Sequence, residues 1–207
     1  MSLISRLSEK SWLEPGADVA EPASYRPEAA RVATVTYFGV ATVLFGLIAS
    51  AYVMRMGMPA MGHGAMGDWR PMPEPPLIWI NSAVLVAASA AWEVARAGGR
   101  SGRSALMRGG TIAAGALGIL FLVGQLLLWR EYADGGYYAS ANPANAFFYL
   151  ITALHGLHLA GGLFFWARAL LRLRRGHDIR LPVDLCAAYW HFLLLIWVLM
   201  LALLIST

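Results

Sequence analysis

Three histidines, His155, His158 and His191, stand inside long apolar runs of this chain. An ionisable side chain in a hydrocarbon layer is costly, so each one needs a role. Imidazole can ligate haem or metal, carry a proton, or hydrogen-bond between helices. Haem ligation in a bundle needs histidines opposed across a cavity, and a metal site needs further donors at ligand spacing. No Cys, Asp or Glu stands near these histidines at such a spacing, and the first three apolar runs hold no histidine. No Ser–His–Asp, Cys–His or paired-carboxylate pattern is visible either, so no catalytic, cofactor-binding or metal residue is assigned to the spans. The expected role is structural, with neutral imidazoles bonded to side chains, carbonyls or lipid headgroups. A small haem-b membrane protein using two of the histidines is the alternative.

A second group with possible chemistry lies between the first two runs. Met56, Met58 and Met61 precede His63 there. Thioethers and an imidazole suit Cu(I), so a transient copper contact is one reading of the loop. The other is a flexible loop whose methionines adapt to a helix end and a protein interface.

Five apolar runs must position these groups, at about 33–54, 77–95, 111–129, 146–167 and 185–205. Each has the roughly 20 residues that a hydrocarbon core of about 30 Å requires. The fold expected is an all-α bundle of five transmembrane helices. Of the sixteen Lys and Arg, thirteen fall before the first run, between the second and third, or between the fourth and fifth. Only Arg55, Arg70 and Arg130 lie on the other side. The positive-inside rule then places the N-terminus in the cytoplasm and the C-terminus in the periplasm. On this topology His158 lies about 18 Å deep in the fourth helix and His191 about 9 Å from the inner boundary in the fifth. Those depths nearly coincide, so a bond between neighbouring fourth and fifth helices is feasible. His155 and His158, three apart, are expected on one face.

Apolar residues make up 58% of the 207 residues and charged ones 14%, which leaves little for a soluble domain. Residues 1–32 are expected to form a cytoplasmic arm and 33–207 a single membrane domain. The net charge of +4 follows from the loop arginines and suits anionic lipid, not nucleic acid. Arg172, Arg174, Arg175 and Arg180 are the candidates for phospholipid phosphates. The single cysteine, Cys186, has no partner in the chain for a disulfide.

Small residues recur at helical spacing: Ala83, Ala87, Ala91 and Ala95; Gly110, Ala114 and Gly118; Gly156, Ala160, Gly161 and Gly162. Such stripes let helix backbones approach closely in a membrane. Asn81, Ser89 and Gln125 join the histidines as the polar residues at depth, with Glu93 and Arg96 near a helix end where long side chains reach the interface.

The local sequence also resembles a known family. Phe147-Phe148 followed by His155-Gly156-Leu157-His158 is similar to the penultimate helix of subunit III of the haem–copper respiratory oxidases. Ala188-Tyr189-Trp190-His191-Phe192, with Trp197 after it, resembles that family's last helix. Asn81-Ser82-Ala83-Val84-Leu85 with Ser89 and Trp92, and more weakly Gly124-Gln125 with Glu131-Tyr132, resemble earlier helices. The resemblance runs from about Thr36 onward and fits the five-helix form. It implies a non-catalytic subunit of a cytochrome c or quinol oxidase, without a redox centre of its own. Haem and copper would sit in the partner, catalytic subunit I, with subunit II alongside, and phospholipid would bind between helices. It also implies support for proton uptake, complex stability and aerobic electron transport in a bacterial inner membrane. Thr42 stands where many members carry a glutamate, and Leu193-Leu194-Leu195 where many carry an acidic residue. A subunit-III-like partner of a nitric-oxide reductase is a further alternative.

Overall fold

The structure, a computed structural model, describes residues 27–57, 69–70 and 72–206. These form five helices: α1 (Pro27–Met56), α2 (Pro76–Arg100), α3 (Ser104–Asp134), α4 (Pro143–Arg174) and α5 (Arg180–Ile205). All five are long and apolar enough to cross a membrane. The chain is an all-α multi-pass membrane protein.

The helices overrun the apolar runs that predict them. α3 has 31 residues and α4 has 32, so each is close to 47 Å long at about 1.5 Å per residue. Charged residues do not stop a helix whose backbone bonds are already made, and these ends reach the headgroup layers. α1 begins at Pro27, so residues 27–32 of the expected arm are helical.

The ends carry recognisable stops. Pro75, in an extended conformation, precedes Pro76 at the first position of α2, where a missing N–H costs nothing. Asn142 caps α4 by accepting from Ala144 N at 3.0 Å. Its Nδ2 also donates to Arg70 O at 2.6 Å, which ties the connection between α1 and α2 to the start of α4. Gly102, at φ 69°, turns the chain between α2 and α3, and Gly176, at φ 76°, does so after α4. An L side chain is strained at such φ values.

α2, α3, α4 and α5 form a closed ring in which each touches the next and α5 returns to α2, while α1 lies outside against α4 and α5. The tightest seam joins α2 to α3. A Cβ on Gly110 would stand 2.6 Å from Ala95 N and 2.8 Å from Ala91 O, and one on Gly98 would stand 2.9 Å from Leu106 Cβ. The backbones touch there, as close packing without a hydrophobic driving force requires. The alanine stripe of α2 does not stay on one face. Ala95 is fully buried, whereas Ala83 and Ala87 are exposed. A four-residue step drifts about 40° around a helix of 3.6 residues per turn, so the stripe winds off the seam.

The core holds three buried indoles. Trp92 and Trp190 pack with ring centroids 5.3 Å apart, and Trp197 meets Phe121 edge-on at 5.1 Å. Glycines open the space for them: a Cβ on Gly118 would stand 3.2 Å from Trp190, and one on Gly162 would stand 2.9 Å from it. The Gly110→Val change is expected to force α2 and α3 apart and to cost about 1–3 kcal/mol. Gly46→Val, with nothing within 4 Å of its Cβ, is the matched control. Thermal unfolding of the purified chains in detergent tests this, and equal melting temperatures would show that the seam is slack.

Candidate functional site

The polar side chains of the spans gather in three clusters, each a tie between helices. The first lies in the core. Asn81 of α2 donates from Nδ2 to Gln125 Oε1 of α3 at 3.3 Å. Trp197 of α5 donates from Nε1 to Ser82 Oγ of α2 at 2.9 Å, and Trp129 of α3 to Thr152 Oγ1 of α4 at 3.0 Å. His155 sits in this layer, 1% exposed, with its ring centroid 5.7 Å from Phe121 and 5.0 Å from Trp197. Neither of its ring nitrogens has a hydrogen-bond partner among the described residues.

The second cluster links α1 to α5 and α4. The Tyr37 and Tyr189 hydroxyls are 3.0 Å apart, and Tyr189 donates on to His158 O at 2.7 Å. His158 donates from Nδ1 to Leu154 O of its own helix at 2.7 Å, and its ring lies beside Tyr37 and Phe45 of α1. His155 and His158 thus face different neighbours. Three residues span about 300° of turn, which leaves the two side chains about 60° apart. At a crowded helix crossing that angle decides which neighbour each meets.

The third cluster joins α2 and α5 toward the Arg-rich side. His191 Nδ1 bonds Ser89 Oγ, and its Nε2 bonds Glu93 Oε1 at 2.5 Å. Arg96 donates from Nη1 to Glu93 Oε1 at 2.8 Å and from Nη2 to Asp184 O at 3.1 Å, and pairs with the Asp184 carboxylate at 3.2 Å. Ser89, Glu93 and Arg96 share a face of α2 because they stand four and three residues apart. His191 therefore turns to α2, not to His158 on α4 as the matched depths suggest.

Serine, histidine and glutamate here have the connectivity of a hydrolase triad, which their positions in the sequence conceal. Ser89 is nevertheless 4% exposed, wedged between two helices. Ser89 lies within α2, whose backbone N–H groups are engaged in helical bonds. The arrangement clamps α2 to α5 through the Ser89–His191–Glu93 bonds. Ser89 Oγ is turned into the α2–α5 contact, where His191 bonds it.

Of the remaining sequence candidates, Trp190 is fully buried and Tyr189 half-buried. Arg172, Arg174, Arg175 and Arg180 are exposed at the Arg-rich ends of α4 and α5, with Arg180 4.0 Å from Asp178. Met56 ends α1, while Met58, Met61 and His63 lie outside the described residues. Among the described residues, no group of three or more His, Cys, Asp or Glu is placed to hold a metal ion. Thr42 Oγ1 donates to Phe38 O at 2.7 Å.

This bundle matches a known sequence profile along nearly its whole described length. Residues 36–206 fit the family described as cytochrome c oxidase subunit III. The chain belongs to that family. It is 30% identical over 164 residues to cytochrome c oxidase subunit 3 of Synechocystis sp., covering 75% of this chain and 66% of that protein. It is 26% identical over 182 residues to the probable cytochrome c oxidase subunit 3 of Mycobacterium tuberculosis, covering 84% of this chain and 85% of that protein. A 93-residue stretch, 43% of this chain and 45% of the relative, is 36% identical to the subunit 3 of Thermostichus vulcanus. The HGLH and YWHF segments that carry the sequence resemblance lie on α4 and α5 of this subunit III bundle and place a side chain in each of its three clusters.

Two outcomes follow for the clusters. A double-mutant cycle on Ser89→Ala and His191→Ala should give a coupling of about 0.6 kcal/mol, and no more than about 1.7, in denaturant titrations in mixed micelles; zero coupling would mean that the bond ties nothing. His155→Leu removes a buried imidazole without partners and should stabilise the fold by about 1 kcal/mol. A loss of that size in the same titration would show that the ring has a bonded role.

Proposed function

We propose that the chain is the non-catalytic third subunit of a respiratory haem–copper oxidase. The observation that carries this reading is the family match across all five helices. In this reading it packs on the catalytic subunit I, with subunit II nearby, and haem and copper belong to those partners. It lies in a bacterial inner membrane with its Arg-rich loops in the cytoplasm. It binds phospholipid between helices and supports proton uptake and the durability of the complex during aerobic electron transport.

The geometry supports an accessory role in a specific way. Among the described residues, Asn81–Gln125, Ser82–Trp197, Thr152–Trp129, Tyr37–Tyr189 and Ser89–His191–Glu93 each tie one helix to another. Two of the histidines, His158 and His191, are hydrogen-bonded, and the three face different helices, which gives the haem-b reading no opposed pair. The α2–α5 clamp, with side-chain exposures of 39% for His191 and 47% for Glu93, opens to the bundle surface. A partner subunit or the headgroup layer can reach it there.

The test is isolation of the complex through an affinity tag on this chain. A many-helix catalytic subunit bearing the haem spectrum should come with it. Removing this chain from that complex should leave the haem spectrum and the initial turnover in place, while activity decays faster under sustained turnover. Recovery of the chain alone, with a Soret band of its own, would overturn the reading.

A further inference from the structure

α4 carries a seven-residue repeat on the face turned away from the bundle. Ala146, Ala153, Ala160 and Ala167 alternate with Leu150, Leu157, Phe164 and Leu171, in steps of three and four residues that hold one face of a helix. The four large residues are exposed, as are the first three alanines, and Ala167 is half-buried. The positions opposite, Phe148, His155, Gly162 and Ala169, are all buried, so α4 keeps one face in and the other out along its length. We propose that this outward seam seats one membrane-spanning helix of another subunit, its side chains entering the gaps over the alanines and an acidic residue near its cytoplasmic end meeting Arg168.

Length and size pattern point to a helix. Leu150 to Leu171 spans 21 residues of α4, about 32 Å, the full depth of a hydrocarbon core of about 30 Å. A lipid acyl chain reaches through one leaflet only, and its flexibility asks for no regular pattern of sizes. The outward face of α3 shows the difference. Between 119 and 127 its exposed residues are Ile119, Leu120, Val123, Leu126 and Leu127, large throughout. Layers that alternate large and small instead receive the knobs of a neighbouring helix, at the crossing of about 20° common in membrane bundles.

Size and charge also decide whose helix it is. Two copies of this chain in one membrane share their orientation, so their α4 helices would run parallel, and a twofold seam pairs each layer with itself. Leu157 would meet Leu157 and Ala160 would meet Ala160, which wedges the helices apart at one layer and leaves a gap at the next. Arg168 would also meet its own like charge at one depth. Its guanidinium carbon lies 6.0 Å from the Phe164 ring centroid, at the Arg-rich end of the seam. Among the described residues no carboxylate pairs with it. A helix of different sequence, with small residues opposite Leu150, Leu157 and Phe164 and a carboxylate opposite Arg168, answers both the shape and the charge.

The inference rests on the subunit reading above and adds the face of this chain that is met and the chemistry of the helix that meets it. The repeat is written in the sequence, but only the packing of the opposite face against the bundle turns it outward.

The experiment uses the complex isolated through a tag on this chain. Ala153→Leu with Ala160→Leu fills the gaps and should lower the yield of co-isolated subunits at least about tenfold, while the melting temperature of the chain itself stays as it was. Ala113→Leu with Ala202→Leu, at exposed alanines of α3 and α5, should leave the yield unchanged. Arg168→Glu should lower it about two- to fivefold, and Arg168→Lys should preserve it. A photo-crosslinker at Leu157 should capture an apolar segment of a co-isolated subunit that has Asp or Glu near its cytoplasmic end. Capture of lipid alone, capture of a second copy of this chain, or full yield from the Ala153 and Ala160 double variant would each overturn the seam. Equal yields from the two Arg168 variants would overturn the acidic contact. A wild-type preparation without a haem-bearing subunit would instead overturn the functional reading, and the crosslink at Leu157 to the subunits that do co-isolate would still decide the seam.

Discussion

The seam between α2 and α3 is the contact on which the rest of the bundle depends. In a bilayer there is no hydrophobic gain from joining two apolar helices, so they hold only where their surfaces fit. Gly98 and Gly110 remove the side chains that would keep the backbones apart. That approach fixes the rotation of both helices. With α2 and α3 set, Asn81 reaches Gln125, and Ser89, Glu93 and Arg96 face α5. Trp190 then fills the ring over Gly118 and Gly162. A wider seam would misplace each of these at once.

Polar groups add specificity to that packing. Each interior bond is worth little, on the order of 0.6 kcal/mol in a membrane. Their value lies in direction. A tilted or rotated helix would leave Gln125, Ser89 or Trp197 without a partner in a medium that offers no water. The ties run α2 to α3, α2 to α5, α3 to α4 and α1 to α5, and so follow the contacts of the ring and its outer helix. For the accessory subunit proposed above, a unique arrangement of surfaces is the product. The half-exposed Glu93–His191 clamp gives one side of the bundle a charged, hydrogen-bonded surface.

Much of this was legible in the sequence because it depends on sums over neighbouring residues. Hydropathy finds the spans, and the local HGLH and YWHF segments point to the family to which the chain belongs. The helix ends were less legible, since α3 and α4 continue through charged residues that hydropathy excludes. The partners of the histidines were not legible at all. Depth alone pairs His191 with His158, yet rotation turns it to Ser89 and Glu93, 102 and 98 residues away.

The sequence by itself determined that the chain spans a membrane five times, which residues lie at depth, and which family it joins. Those are properties of composition and order along one segment at a time. Tertiary structure alone decided which way each helix turns. It parted His155 from His158, wound the α2 alanines off their seam, and turned His191 to Ser89 and Glu93. The physical reason is the mismatch between 3.6 residues per turn and whole-number spacings. Each step adds a few tens of degrees, and only contact with a neighbouring helix settles where the sum comes to rest.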